Sequence, residues 1–119
     1  MITMNWLDTK DAAAVNNLKQ ESVLNPDRVY VIFKHSTRCM TSKMAKNLFE
    51  SEWSVSNPVY LINVVEWRDA SNTAASVFGV THESPQILVI KNGSSILDKS
   101  HSAIDATEVI NFLPSEPAG

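Results

Sequence analysis

Cys39 is the one cysteine of this chain, and it lies where an apolar run gives way to an amphipathic one. Residues 29–33 predict a strand buried on both faces, and residues 40–50 predict a helix that begins directly after the cysteine. A thiol at the start of a helix faces unpaired backbone N–H groups and the positive end of the helix dipole, and both favour the thiolate. The pattern therefore predicts one reactive sulfur in a strand–loop–helix setting.

Basic and hydroxyl side chains surround this sulfur in the sequence. Lys34, His35 and Arg38 add positive charge, which would support the thiolate or contact a carboxylate of a bound thiol; a solvated loop is the alternative. Ser42 lies one helical turn beyond Cys39, where its hydroxyl is placed either to donate a hydrogen bond to the thiolate or to face solvent. The basic residues and Ser42 are therefore candidates for supporting the thiolate.

The composition indicates a single globular domain whose main partner is neither nucleic acid nor an anionic membrane. With 44% hydrophobic residues the chain can close one core, and its net charge of −3 argues against nucleic acid or an anionic membrane as the main partner. No apolar run approaches the roughly 20 residues of a membrane span, and no signal peptide is visible. A lone cysteine suits a reducing compartment. We expect a cytoplasmic protein in which residues 1–119 form one domain and residues 114–119 a frayed tail.

Helix and strand signals alternate along the chain. They predict a helix from a Thr9 cap toward Glu21, a strand at 29–33, a helix at 40–50, a strand at 59–65, a helix at about 70–78 ended by Gly79, strands at 86–90 and 95–97 around an Asn92-Gly93 hairpin turn, and a last helix from an Asp105 and Glu108 capping pair through Leu113. This order is that of an α/β thioredoxin-like fold, with a central mixed four-stranded sheet flanked by helices. Such a sheet places its sites at the carboxyl ends of the strands, where Cys39 falls.

Three separated motifs resemble the monothiol bacilliredoxin family of thioredoxin-like proteins. They are residues 33–39 (FKHSTRC), residues 82–86 (HESPQ), and Ser100-His101 with Ile104. The resemblance implies a protein that reduces mixed disulfides between client proteins and the low-molecular-weight thiol bacillithiol, with bacillithiol as co-substrate and no bound cofactor. The family usually carries proline and then isoleucine after the cysteine, whereas this chain has Met40 and Thr41. Met40 restores a backbone N–H beside the sulfur, which favours the thiolate further.

The same resemblance assigns Pro85 to the cis-proline that thioredoxin-like proteins carry before their central antiparallel strand. A cis bond would turn the backbone of Ser84 outward to pair with an incoming peptide or thiol in strand fashion, so these two residues and Thr37 are the predicted substrate groove. An ordinary trans proline at a strand start is the alternative for Pro85, and a helix cap is the alternative for Thr37. His82 and Glu83 are expected either to flank the same groove or, as a loop His-Glu pair more often does, to lie at the surface. The scattered histidines show no metal-ligand spacing, so no metal site is predicted.

In the implied reaction the Cys39 thiolate attacks the bacillithiol sulfur of an S-thiolated client protein and keeps the adduct, since no second cysteine can displace it. Two other classes stay open. A glutathione-using monothiol glutaredoxin shares the Cys-x-x-Ser spacing but would show a Gly-Gly turn where Lys91-Asn92-Gly93 stands. A non-catalytic binding module would hold a partner near Pro85 and leave Cys39 incidental.

Overall fold

Five strands form one mixed sheet, and four helices pack on it, within residues 4–114, the part of the chain described by this computed structural model. In chain order the elements are β1 (Trp6–Asp8), α1 (Ala12–Leu24), β2 (Val29–His35), α2 (Met40–Glu52), β3 (Val59–Asn63), α3 (Arg68–Phe78), β4 (Gln86–Lys91), β5 (Ser94–Ser100) and α4 (Ala106–Ile110), with a 3-10 turn at His101–Ala103 before α4. The predicted thioredoxin-like α/β architecture is confirmed, with one strand more than the four expected.

The sheet order is β1-β3-β2-β4-β5, which puts β2 at the centre. β1, β3 and β2 run parallel, while β4 is antiparallel to both β2 and β5. The additional strand, β1, has only three residues and pairs with Val59–Leu61 at the edge of the sheet. So short a segment carries no periodicity of its own, and its strand state depends on the pairing with β3.

Alternate side chains of the central strands enter two separate cores. Tyr30 and Ile32 pack on one face of the sheet with α1 and α3, while Val31 and Phe33 pack on the other with α2 and α4. This alternation follows from the two-residue period of a strand, and a central strand covered on both faces reads as an unbroken apolar run. The prediction that this run is buried on both faces is confirmed for residues 30–33, while Val29 is half-buried.

The ends of several elements differ from the predicted ones. Asp11, not Thr9, caps α1 by accepting a 2.8 Å hydrogen bond from the backbone N–H of Ala14. Thr9 is buried and donates its own N–H to Leu61 (2.8 Å), because it continues the pairing of β1 with β3. β3 stops at Asn63. Its side-chain oxygen accepts hydrogen bonds from the backbone N–H groups of Val65 and Glu66, and these bonds turn the chain toward α3. The last helix ends at Ile110 rather than 113.

Two predicted turns are confirmed by their backbone angles. Gly79 ends α3 in the left-handed conformation with φ of 64°, as a helix C-cap glycine does. Asn92 and Gly93 both have positive φ, 50° and 77°, which is the geometry of a two-residue hairpin turn. No helix within residues 4–114 is long and apolar enough to cross a membrane. Residues 115–119 of the predicted tail lie outside the described residues, and the single-domain interpretation stays a prediction.

Candidate functional site around Cys39

Cys39 occupies the N-cap position of α2, at the carboxyl edge of the central strand β2. The backbone of Cys39 is extended (φ −113°, ψ 120°), and its carbonyl accepts a hydrogen bond from the N–H of Lys43 (3.1 Å). Cys39 is half-buried. No side chain caps this helix, so the N–H groups of its first turn remain directed at the region around the sulfur. The predicted strand–loop–helix position of the thiol is therefore the position that the fold produces.

The Ser42 side chain, in the first turn of α2, hydrogen-bonds to the residues that precede Cys39. This side chain is completely buried, and its Oγ accepts the backbone N–H of Ser36 (2.9 Å) and lies 2.8 Å from Nδ1 of His35. Burial, reinforced by the charges of Lys46 and Lys43, holds the pKa of His35 below its usual range. The neutral ring either donates to the Ser42 hydroxyl or accepts from it, depending on which ring nitrogen carries the proton, and a donating ring leaves the Ser42 proton free for the thiolate. The solvent-facing alternative for Ser42 is wrong, and its predicted bond to the thiolate stays a prediction.

Lys34 belongs to β2 and has no solvent exposure. Its Nζ lies 3.1 Å from Nδ1 of His82, which in turn lies 3.2 Å from Oγ of Ser71. Burial lowers the pKa of Lys34 to about 8. The solvated-loop alternative is therefore wrong for Lys34 and for the neighbouring His35, because β2 continues two residues past the predicted end. Their support of the thiolate stays a prediction.

The remaining residues of the loop are open to solvent. Thr37 and Arg38 form an exposed turn, and the side chain of Met40 is 69% exposed at the first position of α2. Because Cys39 holds the N-cap position, the interpretation of Thr37 as the cap of α2 is wrong. The groove contact predicted for Thr37 and the roles predicted for Arg38 and Met40 stay predictions.

The Ser84–Pro85 peptide bond is cis, as predicted, and the trans alternative is wrong. Pro85 is buried at the start of β4, and its carbonyl accepts the N–H of His101 (3.0 Å). The Ser84 hydroxyl is buried without a hydrogen-bond partner among the described residues. A 3.1 Å hydrogen bond from Nε2 of His101 to the Glu83 carboxylate joins the loop before Pro85 to the turn before α4. The strand-like pairing of Ser84 with substrate stays a prediction.

An apolar groove of about 440 Å³ runs along the exposed side of α2 from its first turn. Its walls are formed by α2 and by the segment that leads into α4, including Met44, Leu48 and Ile104.

Within residues 4–114 no three His, Cys, Asp or Glu side chains are arranged to hold a metal ion.

The contacts of His82 with Lys34 and with Ser71 were not visible in the sequence. The three residues are separated by up to 48 positions, and His82, which is exposed as expected, gave no sign of a contact with a buried lysine. The one usable signal was position: a lysine directly after an apolar strand run, on the face opposite Phe33, enters the core if the strand continues.

Comparisons with known proteins agree with this architecture. The family model described as "Monothiol bacilliredoxin BrxC" matches residues 9–109. A solved structure described as an oxidoreductase with a thioredoxin fold is 22% identical, covers 90% of this chain and 92% of its own, and has a TM-score of 0.77. A mutant thioredoxin from Halobacterium salinarum is 15% identical with a TM-score of 0.65, covering 98% of each chain. Fasciola hepatica thioredoxin is 19% identical with a TM-score of 0.63, covering 88% of this chain and 93% of its own.

The structural matches establish the thioredoxin fold, and they are too distant in sequence to establish more. The family model spans most of the chain, including Cys39, the Ser84–Pro85 loop and the start of α4. The chain therefore belongs to the monothiol bacilliredoxin family of thioredoxin-fold redox proteins.

Proposed function

We propose that the protein is a monothiol thiol-disulfide oxidoreductase that removes bacillithiol from S-bacillithiolated client proteins. The observation that carries the proposal is the placement of the single cysteine at the uncapped amino end of α2. Family and fold already make the chain a redox thiol protein. With one thiol per chain, the chemistry available to it is exchange with a disulfide of another molecule.

In the proposed reaction the Cys39 thiolate attacks the bacillithiol sulfur of the client mixed disulfide. A bond forms between the two sulfurs, the bond to the client sulfur breaks, and the client leaves as a thiolate that takes a proton from solvent. The first-turn N–H groups and the dipole of α2 favour the attacking thiolate, and the backbone of Ser84 holds the client segment in strand fashion. A second thiol molecule or a reductase must then release bacillithiol from Cys39.

The partners follow from this chemistry. S-thiolated client proteins and a low-molecular-weight thiol are the substrates, and we propose that no cofactor is bound and no nucleic acid or membrane is engaged. A net charge of −3 disfavours anionic polymers and anionic lipid surfaces. A cytoplasmic location suits a protein that must keep one thiol reduced.

The test is a single-turnover reaction with an S-bacillithiolated client. The wild-type protein should release one client thiol per chain and gain one bacillithiol adduct at Cys39, measured by intact mass and peptide mapping. Cys39→Ser should release none while its far-UV circular dichroism and unfolding midpoint stay close to wild type, because serine is nearly isosteric at this half-buried position.

A glutathionylated form of the same client is the matched control, and it should react more slowly. Equal rates on both clients would favour the glutathione-using class instead. An intact mixed disulfide, under conditions where iodoacetamide still modifies Cys39, would leave the protein as a binding module.

A further inference from the structure

A second depression lies at the same edge of the sheet as Cys39, on the side of α3. It has a volume of about 280 Å³ and is lined by Val64, Val65, Arg68, Ser71, Asn72 and His82. Val64 donates its N–H to the carbonyl of His35 (3.0 Å), and His35 is joined to the first turn of α2 through Ser42. On its other side, His82 lies in the loop that leads to Pro85. The pocket therefore adjoins both segments that frame the thiol.

The buried ammonium of Lys34 contacts the lining residue His82 and has no carboxylate partner. Lys34 has no solvent exposure, and its Nζ contacts the His82 ring at 3.1 Å. Among residues 4–114 the one contact between a basic side chain and a carboxylate joins His101 to Glu83, so neither Lys34 nor Arg68 is paired with a carboxylate. The nearest acid of α3, Asp69, is turned toward the N–H of Ala12. An ammonium held out of water without a counter-charge is unfavourable, and a bound anion would relieve that cost.

The polar lining of the pocket consists of groups that can donate hydrogen bonds. Lys34 and Ser71 both lie at Nδ1 of His82, and a lysine ammonium can only donate, so Nδ1 is the acceptor and the ring proton sits on Nε2. Burial and the charge of Lys34 hold the pKa of His82 below its usual range, which keeps this tautomer neutral. Arg68 adds a planar fork of N–H donors that matches a carboxylate.

We propose that this pocket binds a carboxylate of the low-molecular-weight thiol, namely the malate portion of bacillithiol, while the sulfur of that molecule reacts at Cys39. The assignment rests on the proposed function and extends it to a residue-level subsite. Arg68 contacts the carboxylate directly. Lys34 acts through His82 as a positioning residue, because its ammonium orients the ring and adds positive potential behind it.

The first test compares two small disulfides that differ only in the malate group. These are the symmetric disulfides of bacillithiol and of cysteinyl-glucosamine, which keeps the sugar and the thiol but has no carboxylate. Wild type should react with the bacillithiol disulfide with a kcat/KM about tenfold higher, the scale of one charge-assisted hydrogen bond. Arg68→Gln should remove that preference through KM and leave the cysteinyl-glucosamine rate unchanged.

Arg28→Gln is the matched control, because it makes the same charge change on an exposed arginine beside the amino end of β2, at the opposite edge of the sheet. It should preserve the preference. If Arg68→Gln slows both disulfides equally, or neither, the subsite assignment is wrong.

The second test does not depend on exchange activity. In ¹⁵N-labelled Cys39→Ser protein, L-malate should shift the amide signals of Ser71, Asn72 and His82; Arg68→Gln should abolish these shifts and Arg28→Gln should not. No shift at millimolar malate would overturn the proposal. Malate binding combined with equal wild-type rates on the two disulfides would assign the pocket to a free dicarboxylate and overturn the thiol assignment. Failure of both disulfides to react would refute the proposed function, while the malate shifts would still decide the carboxylate site.

Discussion

Replacing Lys34 by methionine should raise the free energy of unfolding at neutral pH. It should also remove part of the increase in that free energy at alkaline pH. Burial lowers the pKa of Lys34 from 10.5 to about 8, so at pH 7 the folded protein holds a charged ammonium away from water. Methionine keeps a similar length and flexibility without the charge, and it fills a buried position as an apolar side chain. The variant also loses the Nζ contact with His82, so the pH-dependent part of the stability difference is the part that reports the charge.

The size and sign of the effect follow from proton linkage. The difference between 10.5 and about 8 corresponds to roughly 3 kcal/mol as an upper limit. Between these two pH values the unfolded chain binds the Lys34 proton and the folded chain does not, so the free energy of unfolding rises with pH across that window. From about pH 7.5 to about pH 9.5 the wild type should gain roughly 1.5–2 kcal/mol that Lys34→Met does not gain.

The assay is urea unfolding at several pH values in amine buffers free of carboxylates and phosphate. Both proteins carry Cys39→Ser, so that the thiol does not contribute to the pH dependence. Lys91→Met, at an exposed lysine of β4, is the control and should follow the wild-type curve. Parallel curves for wild type and Lys34→Met would refute the reasoning, since they would mean that Lys34 keeps an ordinary pKa in the folded protein.

Two further predictions concern the loop that carries the thiol. Ser42→Ala should lower the free energy of unfolding by about 2–3 kcal/mol, because it leaves the Ser36 N–H and the His35 ring without their buried partner. Ser54→Ala, at an exposed serine, is the control and should change the free energy of unfolding by less than about 0.5 kcal/mol. Equal losses in the two variants would contradict the role given to Ser42. Met40→Pro should leave stability nearly unchanged, since proline is tolerated at the first helical position, but should slow alkylation of Cys39 by iodoacetamide at a fixed pH. An unchanged alkylation rate would show that the Met40 amide does not reach the sulfur.

Local patterns in the sequence were enough to predict the elements that place the thiol. The apolar run before Lys34 and the amphipathic run after Cys39 specify β2 and α2, because each run satisfies the period of its own element. Gly79 and the Asn92-Gly93 turn are confirmed because their left-handed backbone is a property of the residues themselves. The start of a helix is likewise a local feature, so the setting of Cys39 could be predicted before the fold was known.

Contacts between distant segments decided the rest. β1 is a strand only because β3 pairs with it, and no pattern in three residues can encode that partner. Whether Lys34 faced solvent or the core depended on the length of β2, which pairing with β3 and β4 extends through His35. The meeting of Lys34 with His82 requires residues 48 positions apart to share one edge of the sheet. These two side chains meet because α3 and the loop before Pro85 pack against the sheet, and only the tertiary structure specifies that packing.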